Sequence, residues 1–182
     1  PAEMASLWCK HAAEKDKYNC FAGISPEGTV VQAFKGSPLN SHILGLPYAV
    51  SDNICLKEQN ITCASGAFNY KAPFDAECVK DMRQAGAAVL GRLNMAEFGA
   101  GWNARSYANK AALVLDVGGN ALSSASYCGV SCLKPTYGFI SRHGTVSVCP
   151  SIEQLCIMAR SCLDIALIAE KLLHGSKLDS TC

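Results

Sequence analysis

The chain has 182 residues, carries a formal net charge of +1 and contains 17% charged and 49% hydrophobic residues. This length suits one domain with a sizeable core, and the charged fraction lies below the roughly 25% of a typical globular protein. The low charge content fits either a compact α/β core or a subunit whose surface is covered by partners. The near-neutral chain has no basic run, so it shows no direct nucleic-acid signature. No apolar run approaches the roughly 18 residues of a membrane-spanning helix, and no transmembrane segment is expected.

Helices and strands are predicted to alternate along the chain. The predicted elements, in order, are a helix at residues 3–17, strands at 18–24 and 29–34 that form a hairpin, a short buried strand at 48–50, a helix at 75–86 with Asp75 as N-cap, strands at 87–93 and 111–117, and a helix at 161–173 with a Ser161–Asp164 capping box. This alternation predicts a single α/β domain over residues 1–182. The chain starts at Pro1 rather than Met, which a removed targeting sequence or further N-terminal residues would explain.

A candidate active-site loop follows the strand at residues 111–117. The strand ends at Gly118 and Gly119 and leads into a helix of small residues, a turn that exposes backbone N–H groups suited to an oxyanion. Such loops usually place a nucleophile directly after the glycines, but this position holds Asn120, whose carboxamide cannot attack a carbonyl. A shifted loop could present a serine instead, although no base is positioned by the sequence; the candidates are Ser123, Ser124 and Ser126.

Eleven cysteines are too scattered for a secreted disulfide scaffold. Most stand where a small buried apolar residue would fit, so we interpret them as core residues of a protein in a reducing compartment. Cys128 and Cys132 are four residues apart and could share a helix face. Because no CxxC pair is accompanied by a second pair or by histidine, zinc is not expected, and no metal or cofactor is predicted.

Five sequence segments resemble one known family. They are GLPYAVSDNI at residues 45–54, PFDA at 73–76, GRLNMAEF at 91–98, LKPTYG at 133–138 and SRHG at 141–144. Together they resemble the amidase signature family, most closely the A subunits of glutamyl-tRNA(Gln) amidotransferase. The resemblance implies a truncated amidase-signature-like α/β domain, corresponding to the N-terminal half of the family, with a mixed sheet and helices packed on both faces.

The resemblance also implies amide hydrolysis by a serine nucleophile, a second serine in a cis peptide and a lysine base. In this chain Ser51 stands at the lysine position and Asn120 at the nucleophile position. The segment that carries the bridging serine is shortened to residues 99–110 and lacks its Gly- and Ser-rich run. We therefore predict no catalytic residue, and only a residual oxyanion-type loop at Gly118 and Gly119.

Other side chains are weaker candidates for the lost chemistry. Lys57 or Lys110 could replace the missing base, but both are more typical of solvated surface charges. Lys134 belongs to the retained LKPTYG turn and is predicted to be structural. His143 is predicted to make a local hydrogen bond in a loop rather than to take part in catalysis.

The vacant catalytic positions, the low charge content and the family's missing C-terminal half together predict a pseudoenzyme. We expect a non-catalytic structural or assembly subunit with protein partners in a large complex, in the mitochondrion, such as a ribosome, a respiratory complex or ATP synthase. The alternative is an amidase or glutamyl-tRNA amidotransferase subunit with replaced catalytic residues or a partner-supplied half. A third possibility is a binding module in which Asn120 contacts a carboxamide ligand.

Overall fold

The computed structural model describes residues 2–16, 18–32, 37–99 and 111–182. Its α-helices are α1 (Ala2–Lys15), α2 (Glu27–Gln32), α3 (Glu77–Gln84), α4 (Asn120–Cys128) and α5 (Cys162–Leu172). Its strands are β1 (Phe21–Ile24), β2 (Pro47–Ser51), β3 (Asn60–Ile61), β4 (Tyr70–Lys71), β5 (Ala88–Leu93), β6 (Ala111–Asp116), β7 (Ser131–Leu133) and β8 (Gln154–Ala159). A short 3-10 helix covers Glu97–Gly99.

Six of these strands form one mixed sheet in the order β1-β5-β2-β6-β8-β7. The three central strands, β5, β2 and β6, are parallel, whereas β1 pairs antiparallel with β5 and β8 pairs antiparallel with β6. Strand β7 pairs antiparallel with β8 at the edge. β3 and β4 form a separate two-stranded ribbon. The predicted α/β architecture with a mixed sheet is confirmed.

Helices cover both faces of the sheet. Side chains of alternate strand residues divide between two cores, as in β2, where Tyr48 and Val50 enter one core and Ala49 enters the other. Helices α3 and α5 contribute to the first core, and α1, α2 and α4 contribute to the second. The six residues of β8 are all buried, because both faces of this strand are covered.

The predicted hairpin at residues 18–34 is wrong. Its first strand exists as β1, but Glu27–Gln32 forms helix α2, and β1 pairs with β5 instead. The carbonyl of Pro26 accepts hydrogen bonds from the backbone N–H groups of Thr29 and Val30, which starts the helix. The β-branched residues that favoured a strand therefore lie in a helix, where Val30 is buried in the second core.

The other predicted elements are confirmed with small shifts of their ends. Ser161 caps α5 as predicted, since its Oγ accepts a hydrogen bond from the backbone N–H of Asp164 at 3.2 Å. The predicted cap of α3 is wrong: Ala76 occupies the N-cap, and the Asp75 carboxylate accepts a hydrogen bond from the backbone N–H of Lys57 at 2.8 Å.

All eleven cysteines lie in the described ranges, and none of them forms a disulfide bond. Their predicted use as core residues is confirmed for the six that are buried: Cys9, Cys20, Cys55, Cys63, Cys78 and Cys156. The shared helix face predicted for Cys128 and Cys132 is wrong. Cys128 ends α4, whereas Cys132 lies in β7, because Gly129 has a left-handed conformation that ends the helix.

Candidate active site

The candidate site lies where β2 and β6 end side by side. These strands are parallel, with Val50 level with Leu113, so Ser51 at the end of β2 lies beside the last residues of β6. The loop Val117–Gly119 then turns from β6 into α4, which starts at Asn120. The structure thus brings Ser51, Asn120, Gly118 and Gly119 to one edge of the sheet, the edge at which α/β proteins commonly place functional side chains.

Ser51, predicted to stand at the family's lysine position, is a buried residue that makes structural contacts. Its side chain is 4% exposed, and its hydroxyl donates a hydrogen bond to Oδ1 of Asn53 at 2.5 Å. The same Oγ accepts a hydrogen bond from the backbone N–H of Leu115 at 3.4 Å. Ser51 therefore extends the pairing between β2 and β6 by one side-chain contact.

Asn120, predicted to stand at the family's nucleophile position, binds the backbone on both sides of Asp116. Its Oδ1 accepts a hydrogen bond from the N–H of Val117 at 2.9 Å, and its Nδ2 donates one to the carbonyl of Leu115 at 3.3 Å. A residue of a neighbouring parallel strand would bind these same two backbone groups. The carboxamide therefore takes the place of a peptide group beside β6, and both of its polar atoms are engaged within the protein rather than free for a carboxamide ligand.

Asn120→Ala should lower the free energy of unfolding by about 1–2 kcal/mol, because the C=O of Leu115 and the N–H of Val117 lose their side-chain partner. Urea denaturation followed by circular dichroism measures this loss. Ser123→Ala is the matched control in the same helical turn. The Ser123 hydroxyl donates a hydrogen bond back to the Gly119 carbonyl at 2.7 Å, a bond within its own helical turn, so its removal should change the stability by less than about 0.5 kcal/mol. Equal losses in the two variants would contradict the role assigned to Asn120.

Asp116 is the centre of the loop's polar contacts. It is 0% exposed, and its carboxylate accepts hydrogen bonds from the N–H groups of Gly119 at 3.0 Å and Ala121 at 2.6 Å. Nζ of Lys134 lies 2.5 Å from the same carboxylate and forms a salt bridge with it. Lys134 therefore ties the LKPTYG segment to the end of β6, which agrees with its predicted structural role.

Gly118 and Gly119 form the turn predicted as a residual oxyanion-type loop. Gly119 has a φ of 96°, a left-handed conformation that favours glycine, and occupies the N-cap of α4. Its N–H points to the Asp116 carboxylate, so this donor is already bound to a negatively charged acceptor. A Cβ added at Gly118 would meet nothing within 4 Å. The presence of a residual oxyanion loop stays a prediction.

The weaker candidates lie in varied environments. Ser124 is buried and Ser126 is exposed on α4, and Lys57 is exposed on the surface. The ring of His143 stacks on Phe74 with centroids 5.4 Å apart, a local packing contact. Lys110 and residues 100–110 lie outside the described residues.

A second polar network next to Ser51 was not predicted from the sequence. Asp52 is 0% exposed and accepts hydrogen bonds from the N–H and hydroxyl of Thr62 at 3.1 and 2.5 Å. The guanidinium of Arg92 on β5 forms a salt bridge with the same carboxylate. This network fixes the chain after β2 against β5. The sequence feature that could have indicated this network is that Asp52 and Arg92 both lie in family segments, at residues 45–54 and 91–98.

Within the described ranges, no group of three or more histidine, cysteine or acidic residues is placed to hold a metal ion. In the same part of the chain, no helix is both long and apolar enough to cross a membrane. The contacts that the structure describes at the ends of β2 and β6 are hydrogen bonds and the ion pairs Asp52–Arg92 and Asp116–Lys134.

Comparison with known proteins identifies the family. The Amidase family profile matches residues 3–112 and 108–182. The chain is 34% identical to the A subunit of glutamyl-tRNA(Gln) amidotransferase from Archaeoglobus fulgidus, over 92% of this chain and 44% of that protein. It is 32% identical to the protein of the same name from Akkermansia muciniphila, over 100% of this chain and 45% of that protein.

Solved structures agree with this similarity. The crystal structure of the A subunit of glutamyl-tRNA(Gln) amidotransferase from Thermotoga maritima superposes with a TM-score of 0.80 at 26% identity, covering 99% of this chain and 45% of that chain. The chain thus spans less than half the length of the relatives that it matches.

These relatives overturn the main functional prediction. We expected a structural or assembly subunit of a mitochondrial complex such as a ribosome, a respiratory complex or ATP synthase. The curated relatives are named as amidotransferase subunits, and this favours the alternative, an amidase or glutamyl-tRNA amidotransferase subunit. Since the family profile covers nearly the whole chain and the fold agrees, the chain belongs to the amidase signature family.

Proposed function

We propose that the chain acts as part of a glutamyl-tRNA(Gln) amidotransferase-type A subunit, and that its own catalytic positions have been replaced. The segment forms a single domain and corresponds to the N-terminal half of such a subunit. Amide hydrolysis then requires residues supplied by another segment or another chain. The relatives that carry this proposal are subunits by name, so protein partners follow from the same similarity.

The observation that carries the proposal is the shared contact of Ser51 and Asn120 with Leu115. One side chain binds the N–H of Leu115 and the other binds its carbonyl, so both family positions now hold backbone in place. Neither side chain is an amine base or a nucleophilic hydroxyl directed at an open site. A serine nucleophile without its base and bridging hydroxyl loses most of its rate advantage, because the members of such a unit act together.

The alignments support the loss of the bridging segment. The two stretches that match the family profile meet at residues 108–112, next to the shortened segment. The alignment with the Akkermansia muciniphila protein runs over 212 positions, although this chain has only 182 residues. The relative therefore contains residues without counterparts here, as expected if the Gly- and Ser-rich run is missing from this chain.

A covalent probe tests the catalytic part of the proposal. We expect no adduct on any serine of the purified chain after incubation with a fluorophosphonate, and no release of ammonia from glutamine above the buffer rate. Intact-mass and peptide mass spectrometry measure the first result, and a coupled ammonia assay measures the second. The Thermotoga maritima protein, treated in parallel, is the positive control. An adduct on Ser123, Ser124 or Ser126 would show that a replacement nucleophile exists.

Association with partners is tested separately. The chain should co-purify with the other subunits of a glutamyl-tRNA(Gln) amidotransferase when it is co-expressed with those subunits from the same organism. Size-exclusion chromatography with light scattering should then show a complex heavier than the chain. A chain that elutes as a monomer beside those subunits would contradict this part. A reducing compartment and a mitochondrial location stay predictions from the sequence, and fractionation of source material tests them.

A further inference from the structure

Two cysteines lie together on the sheet below the candidate site. Cys132 in β7 pairs with Met158 of β8, and Cys156 lies two residues from Met158 on that strand. Residues two apart on a strand project to the same face, so Cys132 and Cys156 are diagonal neighbours on one face of the sheet. Cys156 belongs to the second core, and Cys132 packs against that core.

The two thiols differ in access to solvent. Cys156 is 0% exposed, whereas Cys132 is only partly buried on β7, which among the described strands pairs with β8 alone. A hydrogen bond with Cys156 lowers the pKa of the Cys132 thiol despite its burial, and the same contact together with burial raises the pKa of Cys156. Cys132 is therefore the more accessible thiol of the pair, and the directions of the two pKa shifts favour its ionisation over that of Cys156.

We propose that Cys132 and Cys156 form a peroxide-sensitive thiol pair, in which a hydroperoxide oxidises Cys132 and Cys156 then closes a disulfide. This inference does not depend on the proposed function. In the first step the Cys132 thiolate attacks one peroxide oxygen, an S–O bond forms, the O–O bond breaks, and the departing oxygen takes a proton to leave as an alcohol or as water. The sulfur is oxidised by two electrons to a sulfenic acid.

In the second step the Cys156 sulfur attacks the sulfenic sulfur of Cys132. An S–S bond forms, the S–O bond breaks, and the hydroxide leaves as water with the thiol proton of Cys156. Diagonal positions are somewhat wider apart than an unstrained disulfide allows, so one strand must shift. β7 has only three residues and pairs with one described strand, β8, while α4 and α5 pack against it; we expect this short edge strand, rather than β8, to shift.

That shift is coupled to the candidate site through Lys134. Lys134 lies two residues after Cys132 and holds the Asp116 carboxylate, and both charges act on Cys156. Because Asp116 pairs with Gln154, two residues before Cys156 on β8, the carboxylate of the ion pair lies close to the thiol pair along the sheet. Movement of β7 toward Cys156 is expected to weaken the Lys134–Asp116 contact and loosen the loop that it holds.

Two other cysteines near β7 serve as comparisons. Cys162 lies with its Sγ 3.7 Å from the Ser131 hydroxyl, and Ser131, as the neighbour of Cys132 on the strand, projects to the opposite face. Cys128 is exposed at the end of α4, which packs on the same face as Cys132. Cys162 is therefore a control, and Cys128 is the rival partner.

In the test, the reduced chain is treated with hydrogen peroxide and the remaining thiols are blocked with an alkylating reagent. Disulfide-linked peptides are then identified by mass spectrometry of an unreduced digest. We expect a linked peptide pair joining Cys132 to Cys156. Cys162→Ser should leave this linkage unchanged. Cys156→Ser should abolish it and leave a sulfenic acid at Cys132 that dimedone traps. Should Cys156→Ser fail to fold, Cys132→Ser at the partly exposed position should equally abolish the linkage.

Other outcomes would overturn the proposal. These are a Cys132–Cys128 linkage, oxidation of Cys128 or Cys162 with Cys132 unmodified, or oxidation of Cys132 to sulfinic acid without any linkage. Hydrogen exchange tests the coupling to the loop. The amides of Gly119 and Ala121 should exchange several-fold faster in the oxidised chain, and an unchanged rate in chain that carries the disulfide would disprove the coupling.

Discussion

Gly144→Ala is expected to lower the free energy of unfolding by about 3 kcal/mol. Gly144 has a φ of +84°, which is unfavourable for a residue with a side chain, and a Cβ there would lie 2.5 Å from Cα of Ala76. Ala76 is fully buried at the N-cap of α3, so backbone rather than a flexible side chain would have to move. The carbonyl of Gly144 also accepts a hydrogen bond from the backbone N–H of Cys55 at 2.9 Å.

The measurement is urea denaturation of the variant beside the parent chain, with Gly175→Ala as the matched control. Gly175 has no atom within 4 Å of a built Cβ and no left-handed φ, so its replacement should change stability by less than about 0.5 kcal/mol. A loss below about 1 kcal/mol in Gly144→Ala would show that the contact with Ala76 relaxes easily. Gly144 belongs to the SRHG segment. The expected loss of stability would therefore explain physically why that segment carries a glycine.

The elements that could be predicted from the sequence are those whose local signals agree with their tertiary surroundings. Ser161 and Asp164 form a cap that needs only residues of the same turn, and the structure has that cap. The parallel strands β2, β5 and β6 were recognisable as short apolar runs, because both of their faces are buried. Helix α2 failed as a prediction because its β-branched residues favour a strand in isolation, whereas packing beside α1 and β5 decides the outcome.

The candidate site could be located from the sequence but not described. The family resemblance predicted Ser51 at the lysine position and Asn120, directly after the glycine pair, at the nucleophile position. Their common partner, Leu115, could not be predicted, since the contact depends on β2 and β6 being neighbours and on the side-chain conformations of both residues. The Asp52–Arg92 contact likewise joins residues 40 positions apart in the sequence. Such contacts can be predicted only once it is known which strands are neighbours in the sheet.

Lys134→Met is expected to lower the free energy of unfolding by about 3 kcal/mol, because it leaves the fully buried Asp116 carboxylate without its cation. The methylene stem and approximate volume of the side chain are preserved, so the change removes mainly the charge. Two backbone N–H donors, from Gly119 and Ala121, still bind the carboxylate and limit the loss. Chemical denaturation at neutral pH measures it, and Lys57→Met, at an exposed lysine, is the control with an expected change of less than about 0.5 kcal/mol.

A double-mutant cycle separates the ion pair from the loop's other contacts. Asp116→Asn alone should also destabilise the chain, because a neutral amide leaves the half-buried Lys134 ammonium unpaired. In the double variant, each substitution should lower the free energy of unfolding by less than it does in the parent chain. We expect a coupling energy of about 1–3 kcal/mol. A coupling near zero would mean that the N–H bonds from Gly119 and Ala121, and not Lys134, hold the carboxylate. Because neither substitution removes the Asn120 contacts with Leu115 and Val117, these contacts are common to all four variants, and the coupling energy reports on the ion pair itself.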